Sequence, residues 1–210
     1  MKAWISANTS DFSGFSIPLP VLKLIVFGLS LVPAGALVWR FFNHDLGAEP
    51  VETLLHTTGD WGLRFLLITL AVTPLRKLTG WTTVMRLRRM LGLYAFFYAL
   101  LHVSVYLVLE QFFDWGEILK DVVERPYITL GFTAFVLLIP LAVTSTDRMR
   151  RRLGRRWKKL HQAVYVIATA AVLHYLLSVK ADIREPLIYG LILVALLGYR
   201  VWDQRRRRAA

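Results

Sequence analysis

The chain has 210 residues, 56% of them hydrophobic, a mean hydropathy of +0.48 and no cysteine. That composition excludes an ordinary soluble domain, and the missing thiols exclude disulfides, cysteine-held iron–sulfur clusters and covalent CxxCH haem attachment. The formal charge of +12 reads as cytoplasmic loop charge on a membrane protein and not as a nucleic-acid site.

The first 20 residues contain one early lysine and a polar middle. They make a poor cleavable signal, so residues 1–20 are expected to be a cytoplasmic segment ahead of a retained helix. Helix 1 is expected over 21–42, with Lys23 and Arg40 near its ends, where long stems snorkel. Helix 2 has the shortest uncharged core, 65–75, with Arg64 before it and Pro74 near its exit. Helix 3 covers 90–109. Helix 4 covers 126–146 and carries Pro140, a kink signal. Helix 5 covers 159–180. Helix 6 covers 186–202, ahead of a basic tail, 203–210. No internal repeat is read in the sequence, and the only low-complexity run is the RRRR at 205–208.

Loop charges order these helices. The 2–3 connection carries Arg76, Lys77, Arg86, Arg88 and Arg89, and the 4–5 connection carries eight Lys or Arg between Arg148 and Lys159. The 1–2 connection carries Asp45, Glu49, Glu52 and Asp60 without a Lys or Arg, and the 3–4 connection is mostly acidic. Basic and acidic loops alternate, which requires helix 2 to cross. The positive-inside rule then gives an all-α membrane protein, a six-transmembrane-helix bundle with N and C termini cytoplasmic and the bundle spanning 21–202.

Five histidines are present. His44 and His56 belong to the outer 1–2 connection and read as solvated or interfacial. His102, His161 and His174 lie inside helices, where an ionisable group is costly and points to function. Helices 3 and 5 both run outward. His102 stands roughly 20 Å and His174 roughly 22 Å above the inner boundary, at 1.5 Å per residue from Arg89 and Lys159. Two parallel helices thus present imidazoles at nearly equal height, the arrangement that a tetrapyrrole iron needs from its two axial ligands. All four methionines sit at or near the cytoplasmic side and cannot serve that height. His161 lies near the inner surface, and its depth partner on helix 3 falls at 89–91, which holds no histidine. On an ideal helix His161 and His174 are turned from each other by roughly 220°.

Three segments carry a family resemblance: RRMLGLYAFFYALLHVSVYLVLE (88–110), RPYITLGFTAFVLLIPLAVTST (125–146) and LGRRWKKLHQAVYVIATAAVLHYLLSVK (153–180). Together they resemble the ferric-reductase-type transmembrane domain. More closely, and with NHDLGAEPVETLLHTTG (43–59), they resemble the MsrQ (YedZ) family. The resemblance implies a haem b and an FMN in a bacterial inner-membrane bundle. It implies electron delivery to a periplasmic molybdenum-dependent partner, MsrP, that repairs oxidised protein methionines. It matches His102 and His174 to the family's haem histidines and His161 to a third family histidine. The NADPH-oxidase pattern has a second histidine on helix 3; here Arg88 and Arg89 stand at the inner position, against an inner haem.

No GxGxxG fingerprint or flavin-reductase domain is read in the chain. The expectation is therefore an electron-transfer subunit without its own substrate-reducing centre, fed by the quinone pool or a cytoplasmic flavin reductase. At the basic inner mouth, Arg88, Arg89, Arg155 or Arg156 are candidates for an FMN phosphate, which guanidinium suits. Two other classes compete: a transporter or proton pathway with histidine relays, and a structural anchor with histidines as interhelical glue.

Overall fold

The computed structural model describes residues 18–179 and 182–209. Among these residues the chain is helical, without strands: α1 (Leu19–Phe42), α2 (Pro50–Thr79), α3 (Arg88–Val105), α4 (Trp115–Glu124), α5 (Pro126–Val143), α6 (Asp147–Leu153), α7 (Arg155–His161), α8 (Val164–Ser178) and α9 (Arg184–Ala209). A 3-10 turn, Thr83–Arg86, leads into α3, and a π-helical turn, Tyr106–Glu110, ends it. Five segments are long and apolar enough to cross a membrane: α1, α3 with its π turn, α5, α7 with α8, and α9. The protein is an all-α, multi-pass membrane protein.

The helix that looked weakest in sequence is the centre of the bundle. α2 has 30 residues, about 45 Å at 1.5 Å per residue, far more than its uncharged core of 65–75. Leu63, Phe65, Leu66, Leu67, Leu70 and Val72 are all buried. Its mid-helix charges face protein: Arg64 Nη2 pairs with Asp60 at 3.6 Å, and Arg64 Nε donates to the Tyr189 hydroxyl at 2.7 Å on α9. Near the C-terminal end of α2 Lys77 pairs with Asp203, again joining α2 to α9. A helix surrounded by other helices does not need a lipid-soluble surface, so hydropathy understates it.

Other boundaries also differ from expectation. Helix 5 is not continuous. Gln162 and Ala163 form a turn in which Gln162, Ala163 and Tyr165 each donate to the carbonyl three residues back, so the chain tightens between α7 and α8. The basic 4–5 connection is itself helical. Thr146 Oγ1 caps α6, and Gly154, at φ 51°, turns the chain into α7. The expected tail at 203–210 continues α9 to Ala209. The segment expected over 1–20 falls almost wholly outside the described residues.

α1 is anchored by two tyrosines one turn apart on α3. Tyr94 donates to the Phe27 carbonyl at 3.0 Å. Tyr98 is fully buried; its hydroxyl donates to the Ser30 carbonyl at 2.7 Å and accepts from the Ala34 N–H at 3.1 Å. In an α-helix that carbonyl and that N–H are partners of one rung, so the hydroxyl bridges the two ends of a rung of α1, next to Pro33. Phe65 of α2 stacks between the two tyrosine rings, with centroids at 5.5 and 5.4 Å. Tyr98→Phe deletes a donor and an acceptor at a dry site and is expected to cost about 1–2 kcal/mol of stability. Tyr94→Phe, which loses one bond, should cost less. Denaturation midpoints in detergent, compared side by side, check the order.

Candidate functional site

His102 is on α3, one turn before the π-helical segment, and His174 is near the C-terminal end of α8. The bundle brings them together. Their ring centroids are 6.1 Å apart and the ring planes make an angle of 80°. Both rings are partly buried. His102 Nδ1 lies 2.9 Å from the Leu55 carbonyl oxygen on α2, and His174 Nδ1 lies 2.6 Å from the Tyr127 carbonyl oxygen on α5. A carbonyl only accepts, so each Nδ1 carries the proton and donates. Each Nε2 is left with its lone pair and, among the described residues, without a hydrogen bond.

This geometry fits a shared metal. Imidazole nitrogen binds a transition metal at about 2 Å and the ring centre lies about 1 Å behind it, so two rings on opposite sides of one ion stand about 6 Å apart. The Nδ1–H to carbonyl bond is the usual outer contact of a metal-ligating histidine; it sets the tautomer and the ring orientation. Among the described residues no group of three or more His, Cys, Asp or Glu converges on a metal position. Two ligands alone suit an ion whose remaining positions are filled by a macrocycle. A haem would therefore be held by His102 and His174.

His161 does not join them. Its ring stacks on Trp157 at 4.0 Å. Its Nε2 is 3.1 Å from Thr144 Oγ1, whose own proton goes to the Pro140 carbonyl at 2.6 Å, so Nε2–H is the donor to the hydroxyl. Trp157 Nε1 donates to the Thr144 carbonyl at 2.9 Å. His161 thus joins α7 to the C-terminal end of α5. Arg88 is half-buried and within electrostatic reach of both His161 and Arg200. Arg89 is exposed and engaged elsewhere, with Asp147 at 3.0 Å. The Arg89 guanidinium holds the Asp147 carboxyl below the usual range. His44 is exposed in a turn, and His56 is half-exposed beside Glu52 at 3.4 Å, as expected of solvated residues. Clefts of 390 and 400 Å³ lie between α1 and α2 and between α5 and α8, and neither is lined by an imidazole.

The family described as "Ferric reductase like transmembrane component" matches residues 58–172, a stretch that contains His102 and His161 and ends just before His174. A protein of Xanthomonas euvesicatoria pv. vesicatoria (strain 85-10) is 51% identical over 192 residues, 89% of this chain and 88% of its own length. One of Herminiimonas arsenicoxydans is 50% identical over 198 residues, 91% of each chain. Both are named protein-methionine-sulfoxide reductase heme-binding subunit MsrQ. The chain belongs to the MsrQ family. No solved structure matches it.

Within this MsrQ-family chain the structure corrects one reading of the sequence: an internal repeat is present. LLITLAVT (66–73) on α2 and LLIPLAVT (137–144) on α5 agree at seven of eight positions. Thr57–Thr58–Gly59 answers Thr129–Leu130–Gly131, and ALLH (99–102) on α3 answers AVLH (171–174) on α8. Each histidine bonds the carbonyl 47 residues before it. The repeat escapes notice because the spacing from the glycine to the octapeptide differs by one residue between α2 and α5. The sequence signal that would have found the carbonyl partners of the two rings is this pair of spaced motifs.

Proposed function

We propose that the chain is the haem b electron-transfer subunit of a bacterial protein-methionine-sulfoxide reductase system in the inner membrane. The observation that carries this is the imidazole pair: two rings from separate helices, 6.1 Å apart, with both Nδ1 protons spent on carbonyls. The relatives' names supply the cofactor, a haem, and the system. A haem supplies one-electron chemistry when bound. The chain's own part is to hold two neutral imidazoles at one height, to bury the position between them and to keep their tautomers fixed.

In this proposal electrons enter at the cytoplasmic face, from the quinone pool or a cytoplasmic flavin reductase, and leave outward to a periplasmic molybdenum-dependent MsrP. Six crossings with cytoplasmic termini follow from the alternation of acidic and basic loops. A haem near the outer surface leaves a long gap to a cytoplasmic donor. A non-covalent FMN is proposed to relay across it, in a mouth formed by Arg88 and His161. Arg89 was a candidate for the same phosphate, but its ion pair with Asp147 makes Arg88 the stronger one. A proton pathway is disfavoured because both outer imidazoles already donate their Nδ1 protons to helix carbonyls.

His102→Ala or His174→Ala is expected to abolish low-spin haem, whereas His161→Ala keeps at least part of it; visible spectra of the dithionite-reduced proteins decide. Loss of all haem in His161→Ala with low-spin haem retained in His174→Ala would sink the pairing. A periplasm-sensitive reporter is expected to be active when fused near Trp115 and silent near Arg152, and the reverse would invert the electron path. Arg88→Ala should lower flavin content more than Arg89→Ala does, with haem content held, by flavin and pyridine-haemochrome assays on one sample. Two haems and no flavin would remove the relay.

A further inference from the structure

The two rings rest against bare backbone at equivalent places. Four residues after each acceptor carbonyl stands a glycine, Gly59 after Leu55 and Gly131 after Tyr127. A Cβ on Gly59 would lie 3.0 Å from His102 Nδ1 and 3.1 Å from its Cε1. A Cβ on Gly131 would lie 2.7 Å from His174 Nδ1, 2.9 Å from Cε1 and 3.1 Å from Cγ. Neither glycine has a positive φ, so the backbone does not require it. Both sit inside helices, where glycine is unfavourable relative to alanine by about 0.5–1 kcal/mol. Other helical glycines do not share the contact. Gly28, Gly35 and Gly198 meet nothing within 4 Å, and Gly92 meets only the Thr69 methyl, at 3.7 Å.

The spacing has a physical reason. In an α-helix the carbonyl of residue i already accepts from the N–H of residue i+4. A ring that takes the second lone pair must approach across the next turn, and the side chain at i+4 stands in its way. Here residue i+4 is the glycine, in both halves of the repeat.

We propose that Gly59 and Gly131 are positioning residues for the two haem ligands. Each lets an imidazole reach the second lone pair of an intrahelical carbonyl, which fixes the Nδ1–H tautomer and turns Nε2 away from α2 or α5 and toward the common metal position. The proposal rests on His102 and His174 being the axial ligands. It adds that the seat of each ring, and not the ring alone, determines ligation. The two seats are graded, the one at Gly131 being the tighter.

The test uses the full-length, haem-loaded chain in detergent, with Gly59→Ala, Gly131→Ala and, as control, Gly92→Ala. Haem per chain, the low-spin optical and EPR signatures, the midpoint potential and helix content by circular dichroism are measured for each. Gly131→Ala is expected to lower low-spin haem about tenfold or more, in the range of lost outer contacts at metal sites, with helix content kept. Gly59→Ala, the milder clash, is expected to keep haem but with an altered EPR signature and a shifted potential. Gly92→Ala should match the wild type. If Gly131→Ala does not accumulate, Gly59→Ala decides alone. A wild-type signature and potential in Gly59→Ala overturn the proposal, as does equal damage in Gly92→Ala, which would make the effect general helix packing. A wild-type protein without haem would instead overturn the ligation on which the proposal stands.

Discussion

An imidazole N–H inside a helical bundle must find an acceptor, and nearly every acceptor there is a carbonyl already engaged in a helix ladder. The pairing of α2 with α3 and of α5 with α8 is built around that constraint. Each imidazole uses the spare lone pair of a carbonyl on the neighbouring helix, at 2.9 and 2.6 Å. Leaving such a donor unpaired away from water costs about 1–3 kcal/mol, so the bond fixes the rotation of α3 against α2 and of α8 against α5. It also leaves Nε2 basic and unspent. One contact thus meets the polar requirement of the bundle and, in the proposed haem site, orients the ligand.

The repeat turns one such contact into a pair. Because the α2–α3 and α5–α8 hairpins carry matching motifs, each delivers its histidine 47 residues after its acceptor carbonyl. Two equivalent hairpins packed together hold their histidines at one depth without any further device. α1 and α9 then close the bundle. α1 is held through the Tyr98 hydroxyl bridging Ser30 and Ala34, and α9 through Tyr189 with Arg64 and through Asp203 with Lys77.

Much of this was legible in the sequence, and what was not has identifiable causes. Length and hydropathy revealed the lipid-facing helices, and residue counts from the basic loops set His102 beside His174 in height before any coordinates. α2 was undervalued because Asp60 and Arg64 look like interruptions when they are in fact paired with each other and, through Arg64, with Tyr189. The break after His161 carries no Gly or Pro to announce it; the bonds from Gln162, Ala163 and Tyr165, each to the carbonyl three residues back, make the turn. Helix α4 hides in an acidic loop. Asp114 caps it through the N–H groups of Gly116 and Glu117, and the buried Asp121 accepts from Tyr106, Gln111 and Arg125. Gly59 and Gly131 stand out in the sequence only as matched positions of the repeat; that each lies against an imidazole depends on which neighbouring helix packs there.

The symmetry of the hairpins ends at Thr73 and Thr144, the last positions of the matched octapeptides, and that is where direction can arise. Thr73 and Thr144 occupy matching positions in the repeat, yet only Thr144 meets a histidine, and its carbonyl takes the Trp157 indole. On the first hairpin the corresponding level offers Arg88 instead, near Arg200. A pair of like imidazoles by itself has no sense of inward or outward. One end of the same bundle is acidic and set close to the imidazole pair, whereas the other is basic, asymmetric and about 20 Å away along the helices. In the proposed electron path, the donor side is therefore distinguished by charge and by an anion-compatible mouth, and the acceptor side by proximity.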